Sequence, residues 1–149
     1  SSPLVDNADG TVTDQETGLM WQKVAAPAAY TWQQALAYAE GLTLAGHLDW
    51  RLPDRNELQS LVDYSQQYPA IAPLLAPHTL PSDYWSSTTD VNSKDDAGNI
   101  TSAWYVNFGS GTIFYVGLKN YTYAVRAVRT ARPANKKAGL PWLQLMLGD

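Results

Sequence analysis

Apolar positions along this chain follow two periods. Thr31-Trp32-Gln33-Gln34-Ala35-Leu36-Ala37-Tyr38-Ala39-Glu40 places Trp32, Leu36 and Ala39 on one side at helical spacing, with Ala35 widening the stripe. Thr31 is a natural N-cap with Gln34 at the third helical position, so a capped amphipathic helix is predicted here, ended by Gly41 or Gly46 and packed against a sheet. A second start signal lies in Trp50-Arg51-Leu52-Pro53-Asp54-Arg55-Asn56-Glu57-Leu58. Pro53 biases Leu52 toward extended backbone, Asp54 and Glu57 have capping-box spacing, and Leu58, Leu61 and Val62 continue at helical period. This predicts a helix from about Asp54 to Tyr64.

The other segments read as strands and loops. Gly10-Thr-Val-Thr-Asp14 and Leu19-Met-Trp-Gln-Lys23 flank a turn with Gly18, which predicts an N-terminal β-hairpin. Runs over Tyr84–Thr89, Ser102–Phe108, Thr112–Leu118 and Tyr123–Arg129 are rich in β-branched and aromatic residues and predict one antiparallel sheet. In the second run Trp104, Val106 and Phe108 share a face while Ala103, Tyr105 and Asn107 point oppositely, so one face builds core and the other meets solvent or ligand. Pro69, Pro73, Pro77 and Pro81 limit their segment to a folded loop anchored by Ile71, Leu74 and Leu75. Trp85 and Trp104 are expected in the core.

Composition narrows the function classes. At 149 residues the chain fits one domain, assigned to 1–132, with residues 133–149 as an extension carrying the apolar run Gly139–Leu147. Absence of cysteine removes disulfides, thiolate nucleophiles and cysteine-ligated metals together. Asp6, Asp9 and Asp14 lack the calcium-loop pattern and read as turn residues, and the oxygen-rich Asp90–Ser102 stretch reads as a solvated loop in which calcium stays open. His47 and His78 are too few for a histidine-rich metal site, and neither a catalytic group nor a cofactor is assigned. A net charge of -4 argues against general nucleic-acid binding, although Arg126, Arg129, Arg132, Lys136 and Lys137 allow a local basic patch. No apolar run is long enough to insert into a membrane, and Ser1-Ser2-Pro3-Leu4 lacks signal-peptide character, which leaves open a signal removed earlier.

Six pieces in order carry a resemblance: Gly18-Leu-Met-Trp-Gln22, Thr31-Trp32 with its helix, Asp49-Trp-Arg-Leu-Pro-Asp54 with Glu57-Leu58, Tyr84-Trp-Ser-Ser-Thr88, Ala103-Trp-Tyr-Val-Asn-Phe108 and Val125-Arg-Ala-Val-Arg129. Over residues 6 to 130 the chain resembles the bacterial family named for the C-terminal domain of the Legionella collagen-like adhesin, similar to C-type-lectin-like and formylglycine-generating-enzyme-like domains. The resemblance implies an α+β, C-type-lectin-like fold with two helices on compact antiparallel sheets. It also implies a non-enzymatic recognition or adhesion module, secreted, cell-surface or periplasmic, for a glycan or protein ligand. The alternative is a structural or assembly domain of a larger exported protein, and a homo-oligomer is left open. The cysteines of the formylglycine-generating chemistry and the paired calcium motifs of sugar lectins are both missing. Tyrosine binds without metal, offering a flat ring and an orienting hydroxyl at low conformational cost. The resemblance further implies an exposed sheet face like the one that related receptor-binding scaffolds diversify, and Tyr105, Asn107, Tyr115, Lys119, Asn120, Tyr121 and Tyr123, which would occupy comparable positions, are the expected ligand-binding residues. Glu57 is expected to accept a bond from Arg126, with Arg51 tying its loop to nearby carbonyls.

Overall fold

A computed structural model describes residues 3–131, with the side chains of 113–115 outside that description. The expected extension over 133–149 therefore lies outside the described residues. The architecture is α+β: two helices and two antiparallel sheets. Strands β1 (Leu4–Asp6), β2 (Thr11–Asp14), β3 (Leu19–Gln22) and β7 (Val128–Thr130) form one sheet in the order β1-β2-β3-β7. Strands β4 (Asp83–Thr89), β5 (Ser102–Asn107) and β6 (Thr112–Leu118) form the second in sequence order. The predicted hairpin is β2–β3, but β1 precedes it and pairs Leu4 with Asp14.

The four later runs do not share one sheet. Three do; the fourth leaves the second sheet after Ala124, which bridges Tyr84, and joins the first as β7 beside β3. Tyr123 to Ala127 thus stitches the sheets together, and only Val128–Thr130 is regular strand. Neither face of the second sheet is simply open. Tyr84, Val106 and Phe108 enter a core with Val12, Trp21 and Leu58, while Trp85 and Ala103 enter another with Trp32, Trp50 and Val125. Alternation along β5 therefore feeds two cores, one on each side. Trp85 is fully buried as expected, whereas Trp104 is half-buried beneath the Arg55 guanidinium, 4.5 Å from its ring centroid.

Both capping boxes form. Helix α1 (Trp32–Glu40) starts at Thr31, whose hydroxyl accepts from the Gln34 amide, and ends at Gly41. Helix α2 (Arg55–Gln59) starts at Asp54 but is shorter than the spacing predicts. After Gln59 the chain turns, and Val62 bridges Ile71, so pairing with the proline-rich loop replaces further helical turns. That loop contains one short 3-10 helix, Ala76–His78, and is anchored by fully buried Ile71 and Leu75. Since Asp54 caps so short a helix, replacing it with alanine is expected to cost about 1 kcal/mol, read by urea unfolding.

Glu57 and Arg126 are both structural, but they are not partners. The Glu57 carboxylate takes Arg51 Nη1 at 2.6 Å and Nη2 at 2.8 Å while also accepting the Asp54 amide at 3.0 Å. Arg51 exchanges both backbone bonds with Val128, so this local pair locks the start of α2 to β7. Arg126, 1% exposed, takes the carbonyl role instead. Its Nε donates to Gln22 O (2.9 Å), Nη1 to Thr79 Oγ1 (2.8 Å), and Nη2 to Lys23 O (2.8 Å) and His78 O (2.9 Å). Burial draws its pKa down to about 10, which leaves it cationic near neutral pH. The swap follows from proximity: Arg51 is six residues from Glu57 and reaches it without crossing a sheet.

Desolvation alone raises the Glu57 pKa, but the bonds from Arg51 and the Asp54 amide outweigh it and hold the carboxyl below its ordinary range. A depressed acid stabilises the fold above its unfolded pKa and loses that contribution as pH falls through the folded one. The stability gap between wild type and Glu57→Gln is therefore expected to be about 1 kcal/mol at pH 7, discounted for the partial exposure of Arg51, and to close toward pH 3. Urea melts at the two pH values measure it.

Candidate recognition surface

Of the predicted tyrosines, Tyr105 and Tyr121 pack around Tyr123. Its backbone exchanges hydrogen bonds of 2.9 Å with Tyr30, which holds the residue at the junction of α1 and the second sheet. From there its ring packs on buried Trp85 at 4.4 Å between centroids, on Tyr105 at 4.7 Å and on Tyr121 at 6.3 Å. These contacts form a ladder from the core to the surface, ending at Tyr121, which is 51% exposed. Gly117 on β6 makes room for it: a Cβ there would stand 2.6 Å from the Tyr123 hydroxyl and 2.7 Å from its Cε2.

The register explains the grouping. Trp85 on β4 and Tyr115 on β6 both lie opposite Tyr105 on β5, and Gly117 lies opposite Ala103, so these positions share one face. Tyr115 is placed by its backbone in that row; its side chain lies outside the described residues. The turn after β6 closes through the Tyr121 amide to Leu118 O, and it presents Lys119, exposed Asn120 and Tyr121 together. The Lys119 ammonium lies 4.1 Å from the Trp32 ring centroid. This is cation–π distance and fixes a positive charge beside the aromatic ladder.

The Tyr123 phenol is pushed up to about 12, first by burial and then by Tyr105, Asp83 and Tyr121, with a hydrogen bond to Tyr105 adding to the shift. It is thus a neutral hydroxyl at physiological pH. Asn107 differs from the rest. Its amide nitrogen donates to Asp83 at 2.7 Å and its oxygen accepts from the Gly109 and Ser110 amides, so the whole group is engaged in shaping the β5–β6 turn. The site brings together Tyr105, Lys119, Asn120, Tyr121 and Tyr123, with Asn107 at the far end of the sheet.

Two exposed tyrosines lie outside the set expected from sequence. Tyr64 and Tyr68 are 68% and 71% exposed and flank the Gly109–Gly111 turn: a Cβ on Gly111 would meet Tyr64 at 3.3 Å, and one on Gly109 would meet Tyr68 at 3.5 Å. The signal of Tyr64 is hidden because it falls within the stretch expected to be helical, and Tyr68 stands at the start of the proline-rich loop. The oxygen-rich loops behave as turns. Asp9 accepts from Thr11, Asp14 from Glu16 and Thr17, and Asp95 from Ala97 and Asn99. Among the described residues no group of three or more His, Cys, Asp or Glu side chains is placed to hold a metal ion. The basic patch that the sequence allows loses two members, because Arg126 is a buried structural arginine and Arg129 pairs with Asp49 at 2.6 Å, while Arg132, Lys136 and Lys137 lie outside the described residues.

Fold and surface together define a small two-sheet α+β domain that presents, among the described residues, a core-anchored aromatic ladder beside a held lysine. The chain belongs to the family described as the Lcl C-terminal domain, whose model matches residues 10–129. That match spans every element from β2 to the middle of β7. No curated protein matches the chain. Among the described residues no helix is long and apolar enough to cross a membrane.

Proposed function

We propose that this domain is a non-enzymatic recognition or adhesion module of an exported bacterial protein, with its ligand face at Tyr105, Lys119, Asn120, Tyr121 and Tyr123. The observation that carries the reading is the ladder from Trp85 through Tyr123 to Tyr121, since a ring braced against the core offers a flat surface with little left to immobilise on binding. Membership of the Lcl C-terminal domain family supports a place in a bacterial adhesin-like protein. A C-type-lectin-like relation and an extracellular, cell-surface or periplasmic location belong to the same reading. The ligand is a glycan or a protein. Tyr121 stacks on its apolar face, the phenols of Tyr105 and Tyr123 orient hydroxyl or carbonyl groups, and Lys119 favours a partner with acidic substituents.

Parallel glycan-array and host-protein screens of wild type and Tyr121→Ala test this. Reproducible wild-type hits that the variant loses, at an unchanged melting temperature, are the expected result. Absence of any reproducible hit, or equal binding by both proteins, overturns the proposal. For a hit so found, Lys119→Ala is expected to weaken binding about 3- to 10-fold and to flatten its salt dependence, checked by titration at two ionic strengths.

A further inference from the structure

A second aromatic group adjoins the ladder. Just before α1 the Tyr30 backbone exchanges two hydrogen bonds with Tyr123, its carbonyl also accepts from Trp85 Nε1 at 2.8 Å, and the Trp32 amide donates to Lys119 O at 3.0 Å. The start of α1 is thus fastened both to the turn that presents Lys119 and to the foot of the ladder. Opposed residues of a hydrogen-bonded antiparallel pair stand about 5.5 Å apart at Cα and project to the same side, so Tyr30 shares the side of the junction that Tyr123 occupies. The Tyr30 ring in turn stacks on that of Tyr38, with 5.3 Å between centroids and 25° between planes.

Tyr30 and Tyr38 line an open hollow of about 530 Å³ whose other walls are Ala29, Gln34 and Ala37. Its polar atoms are free to donate. Gln34 Oε1 accepts the Thr31 amide at 3.0 Å, while its Nε2 has no acceptor among the described residues. The Tyr38 hydroxyl accepts from Gln22 Nε2 at 2.7 Å and keeps its own proton to give. Gln22 is 7% exposed and its Oε1 takes the Ala127 amide, so the phenol is held in place from the core. A pyranose offers an apolar C–H face to such a ring and hydroxyl oxygens to such donors. On the reading that the ladder is the ligand face, we infer that this hollow is a second subsite for another ring of the same glycan, which makes the ligand an oligosaccharide chain. A linear glycan repeats one ring-and-hydroxyl unit, and two ring platforms on one side of a fastened junction match that repeat. A folded protein surface has no such repeat to match.

An array printed with length series of defined oligosaccharides, from single sugars upward, tests this with wild type, Tyr38→Ala, Ala37→Leu and Tyr121→Ala. Wild type is expected to bind longer members roughly 3- to 10-fold more tightly than the shortest member it binds. Tyr38→Ala is expected to lose that gain and keep the binding of the shortest member. Ala37→Leu, which fills the hollow from an exposed helical position and leaves the Gln22–Tyr38 bond in place, is expected to do the same at an unchanged melting temperature. A wild type with no gain over length, or an equal gain in wild type and both hollow variants, overturns the subsite, and loss of all binding by Tyr121→Ala in the same experiment leaves the ladder standing. If no oligosaccharide binds at any length the subsite is overturned, and the ladder then rests on the host-protein screen. Full binding by Tyr121→Ala would overturn the ladder reading and the shared chain together.

Discussion

Replacing Arg126 by methionine is expected to lower the unfolding free energy by about 3–5 kcal/mol, a large share of the roughly 5–15 kcal/mol that holds a domain of this size together. The side chain serves four acceptors from two segments distant in sequence, Gln22 and Lys23 at the end of β3 and His78 and Thr79 at the end of the 3-10 helix. Methionine fills much of the volume but donates to none of them, and each acceptor left unpaired in the core costs about 1–3 kcal/mol before relaxation. Lysine is not a rescue. Its three donors radiate from one atom, whereas the acceptors here surround a planar fork, so Arg126→Lys is expected to recover at most about half of the loss. Urea unfolding of the two variants beside wild type measures both effects, and a loss under about 1 kcal/mol for Arg126→Met would show that the carbonyls find other donors.

Gly117→Ala is expected to damage the ligand face more than the fold. The added methyl would occupy space held by the Tyr123 ring edge and hydroxyl, so that ring must move, and with it the contacts to Trp85, Tyr105 and Tyr121. Overpacking of this kind costs about 1–3 kcal/mol. Near-ultraviolet circular dichroism should change with it, because the aromatic neighbours change their mutual angles. A double-mutant cycle isolates the cause: in a Tyr123→Ala background the same Gly117→Ala change is expected to cost at least about 1 kcal/mol less. Equal costs in the two backgrounds would mean that the methyl is accommodated elsewhere.

Structure is legible in the sequence where the determining chemistry is local. Thr31 with Gln34 and Asp54 with Glu57 mark both helix starts because each capping box closes within four residues. Strands β4, β5 and β6 are legible by their alternation, which sets Tyr105 opposite Trp85 and Tyr115, whereas Tyr123 is placed by its backbone bonds to Tyr30. Legibility ends where a distant partner decides. The helical stripe at Leu61 and Val62 is real, yet Val62 bridges Ile71 across a loop, and α2 stops at Gln59. The Tyr123–Arg129 run looks like one strand, but Ala124 answers to Tyr84 and Val128 to Trp21, which belong to different sheets. Arg126 bonds away from its expected partner Glu57 for the same reason: Thr79 and Gln22 lie 47 and 104 residues away, and the carbonyls of Gln22, Lys23 and His78, three of the four acceptors, leave no side-chain pattern to read. The exposure of Tyr64 and Tyr68 likewise depends on how the Gly109–Gly111 turn passes between them.

Recognition at the end of the aromatic ladder is the central claim. Titrating the strongest binder from the screens into isotope-labelled protein and mapping amide shifts by NMR tests it directly. The perturbed amides are expected to cluster at Tyr105 and from Gly117 to Tyr123, while those of Ser60 to Ser65, in the segment after α2, stay in place. Perturbations centred on that segment, or on Tyr64 and Tyr68 beside the Gly109–Gly111 turn, with the ladder unmoved, would contradict it.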